Sequence, residues 1–185
     1  DVYAYYKPYD VELSLGETPI VMEHNQVKFN SLPIYGANDT YMTLNGGMDL
    51  NTMRLDVDVT ADNFTPMKLE PNGPIPVHGD LATDIRGRVR GPLVRIFPYV
   101  NVTVLPSTDI TYPIDDKNMA QVKPYGTVNI QYNTAVGELD FGGRLNVDEG
   151  IVRYSPKLYP MMPFRVDSGS HVIFNGPLGN TDLKL

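Results

Sequence analysis

The chain has 185 residues, 42% of them apolar, with 15 Lys and Arg against 22 Asp and Glu, a net charge of −7 and no cysteine. An acidic chain without an extended Lys/Arg run lacks the positive charge that phosphate contacts need, which argues against nucleic acid as a partner and disfavours docking on anionic lipid heads by charge. Without cysteine there is no disulfide, thiolate metal site or cysteine nucleophile.

Gly and Pro, 16 of each, punctuate the chain at short intervals, as many short strands and tight turns require. Val2–Tyr6 holds tyrosines at 3, 5 and 6, and aromatics favour strands. Val11, Leu13 and Leu15 alternate with Glu12 and Ser14, the period of two that marks a strand with one dry and one wet face. Ile20–Met22 and Val27–Phe29 are predicted as strands joined by a turn at His24-Asn25, and Tyr41–Leu44 as a strand closed by Gly46-Gly47. Met53 to Asp62 is the cleanest pattern: Met53, Leu55, Val57, Val59 and Ala61 face one way, and Arg54, Asp56, Asp58, Thr60 and Asp62 the other. At 3.3 Å per residue that strand spans roughly 33 Å.

Asn63 to Gly79 contains Pro66, Pro71, Pro74 and Pro76 and reads as a loop or irregular edge, because proline cannot donate to a ladder. Leu81–Val89 resumes with weaker alternation, and Val100, Val102 and Val104 alternate with Asn101 and Thr103. Ser107–Pro124 is the longest polar insert, expected as a short helical turn or a mobile loop. Val128, Ile130 and Tyr132 then alternate with Asn129 and Gln131. The last fifty residues form a meander of four short pieces, with Leu139 and Phe141, Leu145 and Val147, Phe164 and Val166, and Leu183 and Leu185 as their apolar positions. LNGGMDL (44–50), VHGDLAT (77–83) and FGGRLNV (141–147) each set glycine before an expected strand start, a shared turn device.

About a dozen strands and no amphipathic helix are predicted. The fold class is all-β: an elongated, curled antiparallel meander with an apolar concave face, or alternatively a β-sandwich in which a second sheet closes that face. No apolar run approaches the ~18 residues of a membrane helix. The first residues, from Asp1, do not read as a signal peptide. The expectation is a single β domain over 1–185, cut from a longer protein.

Residues with chemical potential are few. His24, His78 and His171 are scattered with no HxH or HxxxH pair, against a metal site. Asp56 and Asp58 share one strand face about 6–7 Å apart, a spacing compatible with a glycosidase pair, but strict alternation with valines marks a solvated outer face. Asp115-Asp116 lies in the polar insert without a DxDxDG pattern. Ser168-Gly169-Ser170 has no nucleophile-elbow context. Arg88 and Arg90 form the one local basic pair; they suit a phosphate or an ordinary charged strand. Tyr154, Tyr159, Met161 and Met162 make a soft apolar patch, either a contact surface or an end plug. No catalytic, cofactor or metal residues are predicted.

From Gly137 to Leu185 the order Gly137-x-Leu139, Gly143-x-Leu145-x-Val147, Gly150-Ile151-x-x-Tyr154, Phe164-x-Val166-x-x-Gly169, Phe174-x-Gly176 and Asp182-Leu183-x-Leu185 resembles the C-terminal domain of the TamB family, AsmA-like envelope proteins of Gram-negative bacteria. The match is best over 137–185, looser over 44–105 and faint before that. Family members often carry Asn-Pro before the last strand, where this chain has Asn180-Thr181. The abundant Tyr and absent Cys fit a Bacteroidetes-type version. The resemblance implies a long curled sheet with an apolar groove that moves phospholipid toward the outer membrane or assists outer-membrane protein assembly. It also implies a periplasmic location, a barrel partner of the TamA/BamA type, and inner-membrane anchoring through a segment outside this chain.

The groove is expected at Met53, Leu55, Val57, Val59, Val100, Val102, Val104, Val128, Ile130, Leu139, Phe141, Leu145 and Val147, which would contact acyl chains or a folding strand without chemistry. The alternative class is a secreted carbohydrate-binding or adhesive β-sandwich, for which 12 tyrosines supply stacking surfaces.

Overall fold

The computed structural model describes residues 3–6, 11–71, 77–156, 160–177 and 181–184, with the backbone alone at 3, 4, 6, 11 and 183. Among these, fifteen strands pair into one antiparallel sheet that is not closed into a barrel. They are β1 (Tyr3–Tyr6), β2 (Val11–Leu15), β3 (Val21–Glu23), β4 (Gln26–Tyr35), β5 (Tyr41–Asp49), β6 (Arg54–Phe64), β7 (His78–Asp80), β8 (Thr83–Pro92), β9 (Phe97–Val104), β10 (Asp109–Pro113), β11 (Met119–Asn133), β12 (Glu138–Tyr154), β13 (Met162–Arg165), β14 (His171–Gly176) and β15 (Thr181–Lys184). Among the described residues the helical content is one 3-10 turn at Ala37–Asp39. The sandwich alternative does not form, because the strands share one sheet.

The fifteen strands occupy eleven rows. β2 and β3 lie end to end along β4, β7 and β8 along β10 and β9, β9 and β10 along β11, and β13 and β14 along β12. Several of the breaks fall side by side and form a crease across the sheet. There Ala82 N–H donates to Thr108 Oγ1, which donates back to Ala82 O, both at 3.2 Å. Leu105 N–H donates to Ala82 O, and Val147 N–H to Ser170 O. Thr83, Thr108 and Ser170 are buried along this line. The polar insert expected over Ser107–Pro124 is therefore ordered: it contains β10, a turn, and the start of β11. Asp115 builds the turn by accepting the backbone N–H of Lys117 and Asn118, which holds its carboxyl below the usual 3.8, the Lys117 N–H contributing most.

The turn at His24-Asn25 forms as expected, with φ of 50° and 60°, as a two-residue hairpin of type I′ needs. Several glycines expected to end or precede strands, however, lie inside them. Gly46-Gly47 sit inside β5, and the two pieces expected at Glu138–Phe141 and Arg144–Asp148 are one 17-residue strand. Gly143 has φ 115°, a region side chains rarely enter, and an added Cβ would strike Thr127 O on β11. The strand bends there and continues. The glycines of 77–83 and 141–147 likewise lie within β7 and β12. Within the proline-rich stretch, residues 72–76 lie outside the described residues, as do Tyr159, Asn180 and Leu185. Leu69 forms a bridge to Gly79.

The accessible surface is 11985 Å², whereas a compact chain of this mass exposes about 8,900 Å². The excess is what an open single sheet predicts. Yet Val57 is only 3% exposed. With no second sheet to cover it, the sheet must curl so that its inner side chains cover one another.

Candidate functional site: the inner apolar face

Residues opposite one another in an antiparallel pair point to the same face, so the register fixes which side chains meet. One ladder runs Leu32, Leu44, Val59, Gly87, Val100, Ile130, Phe141, Gly176 across eight strands. Beside it run Ala61, Ile85, Val102, Val128, Gly143, Phe174 and Thr83, Val104, Gly126, Leu145, Val172. Val57 stands opposite Gly46 and Val89, Leu55 opposite Met48 and Gly91, Leu139 opposite Tyr132, and Val147 opposite Pro124. Twelve of the thirteen positions singled out from the sequence thus share one face. Met53 does not. It precedes β6 with φ 50° and is 47% exposed in the turn, because the alternation ran one residue past the end of the ladder.

The face is not uniformly dry. Val57, Val59, Val104 and Val128 are buried; Leu55, Val100, Val102, Ile130, Phe141, Leu145 and Val147 are half-buried; Leu139 is exposed. At one end the rings of Phe97 and Tyr132 meet edge to face at 5.1 Å, and Phe97 lies against Gly91, where a Cβ would come within 2.9 Å of its ring.

The outer face is polar and charge-matched. Asp56, Asp58 and Asp62 on β6 lie beside Arg86, Arg88 and Arg90 on β8. Arg88 donates from Nε and Nη2 to the two Asp56 oxygens at 2.5 and 2.7 Å. That hydrogen bonding, ahead of the charges of Arg88 and Arg90, holds the Asp56 carboxyl below its ordinary 3.8. Arg86 pairs with Asp62 and the Ala61 carbonyl. Asp56 and Asp58 thus both face Arg88 on the surface, and Arg88 is occupied by their carboxylates. Lys123 pairs with Glu149 at 2.9 Å, which raises the amine and lowers the carboxyl. Asn101 and Asn129 hydrogen bond across strands, as do Thr103 and Thr127.

Among the described residues no three His, Asp or Glu side chains converge to hold a metal. The three histidines stay apart: His24 in a hairpin turn, His78 on β7 and His171 at the start of β14. Tyr154, Met161 and Met162 are exposed around the β12–β13 connection. A cleft of about 600 Å³ beside the 3-10 turn is lined by Glu12, Tyr35, Asp39, Lys68 and Glu70 among others; it is polar and separate from the inner face.

Sequence reading missed the exposed tip Leu93-Val94-Arg95-Ile96 between β8 and β9. Aliphatic residues where a turn normally carries Gly, Asn or Asp were the available signal. Comparison with protein families, curated proteins and solved structures finds no match to this chain.

Proposed function

We propose that this chain is a non-enzymatic β segment of a TamB-like envelope protein. Its inner face holds phospholipid acyl chains on their way to the outer membrane, or a strand of an outer-membrane protein during assembly. In that reading it works in the periplasm, beside a barrel partner of the TamA/BamA type, and is anchored to the inner membrane by a segment outside this chain. The sequence resemblance over 137–185 supports the family. The observation that carries the reading is the half-buried apolar ladder Val100, Ile130, Phe141, in register across β9, β11 and β12. Water meets these side chains, and an acyl chain covering them gains about 0.8 kcal/mol per buried methylene.

The test is mass spectrometry of an organic extract of the purified chain, with Ile130→Asp alongside. The expected result is stoichiometric phospholipid in the wild type and none in the variant, which stays folded with only a small loss of thermal stability. Equal lipid in both, or none in either, removes the groove. Glycan binding that disappears with Tyr99→Ala, a side chain 59% exposed on the outer face, would favour the carbohydrate-binding reading.

A further inference from the structure

Three hairpin tips meet at one end of the sheet. Leu50 N–H donates to Asn25 O at 2.8 Å, joining the β5–β6 turn to the β3–β4 turn. Leu93 N–H donates to Met53 O at 3.0 Å, joining the β8–β9 tip to the β5–β6 turn. The result is a stitched rim. Its exposed turn side chains are apolar: Met53 and Leu93 are 47% exposed, Ile96 46% and Val94 95%. Scattered exposed apolar residues need no explanation, but a cluster on adjoining turns does.

The charge around this rim differs from the chain's. Lys28, Arg54, Arg90 and Arg95 stand against Glu23, Asp49 and Asp56, a slight positive balance within a chain of net charge −7. Among the described residues Arg54 and Arg95 take part in no ion pair. The rim also borders the inner face, whose row nearest this end is Val27, Met48, Leu55 and Gly91. A cleft of about 540 Å³ at this end has Lys28, Arg54, Asp56 and Arg90, side chains of the opposite face, in its lining.

We propose that this rim docks on an anionic lipid bilayer, with Leu93, Val94 and Ile96 entering the headgroup–acyl boundary and Arg54 and Arg95 at the phosphates. Aliphatic tips backed by guanidinium groups match such an interface. The local balance overrides the chain's overall repulsion because charge acts within about a Debye length, ~10 Å. The inference deepens the acyl-chain reading, since it places one edge of the inner face at a membrane. It can fail on its own.

The chain contains no tryptophan, so Val94→Trp supplies a single reporter on the folded protein. With vesicles of phosphatidylcholine and phosphatidylglycerol its emission is expected to shift to the blue. Ile114→Trp, at the opposite rim, is expected to stay unshifted. Leu93→Asp with Val94→Asp is expected to cut the fraction floating with these vesicles by about tenfold, while lipid extracted from the inner face is unchanged. Arg54→Ala with Arg95→Ala is expected to lower binding to the anionic vesicles alone. An unshifted Val94→Trp spectrum, or equal flotation of wild type and aspartate variant, overturns the proposal. So does a dimer that the aspartates convert to monomer without vesicle binding, which would make the rim a contact between copies. Inner-face lipid is read separately, so its loss would indict the groove and leave the rim standing.

Discussion

The inner faces of β4–β6 and of β11–β14 carry the same kinds of side chain and meet water differently. In the first, Val27, Leu32, Ile34, Val57, Val59, Ala61 and Phe64 are buried, and Met42, Leu44, Met48 and Leu55 stay half-buried. In the second, Ile130, Phe141, Leu145, Val172 and Phe174 stay half-buried, and Val128 is the buried aliphatic. The first region has bulges in two of its three strands, β4 between Phe29 and Leu32 and β6 between Ala61 and Phe64, against one in β11 of the second, between Val122 and Pro124. Bulges bend a strand and sharpen its twist. Gly36 completes the closure by lying against the Phe64 ring, where a Cβ would sit 2.7 Å from Cε2. One sheet therefore contains a core that makes it stable and a surface with capacity left to bind.

The largest expected effect separates these two roles. Val57→Asp strands a carboxylate in the closed region and should cost about 3–5 kcal/mol in urea unfolding. Ile130→Asp, whose carboxylate reaches water, should cost far less and act on lipid retention instead. Equal destabilisation by both would erase the distinction. Truncation sharpens it next. Phe64→Ala, at 2% exposure, should lose about 3–5 kcal/mol, against ~1 kcal/mol for Phe141→Ala.

Adjacent glycines on β12 test how the open region keeps its bend. Gly143→Ala, with its positive φ and its approach to Thr127 O, should destabilise by about 1–3 kcal/mol. Gly142 has open space around its would-be Cβ, so Gly142→Ala should stay within about 0.5 kcal/mol.

The smallest effect is on the outer face. Asp56 and Glu149 have folded pKa values below their ordinary 3.8 and 4.5. Their stabilisation is complete above those values and fades as pH falls through the lower folded ones. Thermal stability should drop on acidification below about pH 4.5, less steeply in Asp56→Asn and less at high salt.

Much of this face was legible in the sequence, and the reasons are local. Alternation from Leu55 to Asp62 assigns each residue to a side, and a strand cannot change that assignment without slipping register. The limits are equally physical. Gly142-Gly143 reads as punctuation, because glycine in a turn and glycine in a bent strand look alike until the partner strand is known. Val57 and Ile130 read identically, since a period of two names the dry side but not what covers it. The doubling of strands into rows depends on pairings such as Asp80 with Asp109, which no local pattern encodes. Leu93-Val94 is a non-turn sequence in a turn position, and its exposure at a strand-to-strand tip depends on pairings that the local pattern does not encode.

The row arrangement has a consequence for size. The principal contacts of every strand are with its ladder partners, so stability accumulates row by row, as in a solenoid. A barrel fixes its strand number when it closes, because tilt and stagger must agree around the ring. An open sheet has no such condition. Inserting or deleting a hairpin leaves the neighbouring registers intact, so the length of such a sheet, and with it the distance bridged by its lining, is a quantity that selection can adjust two strands at a time.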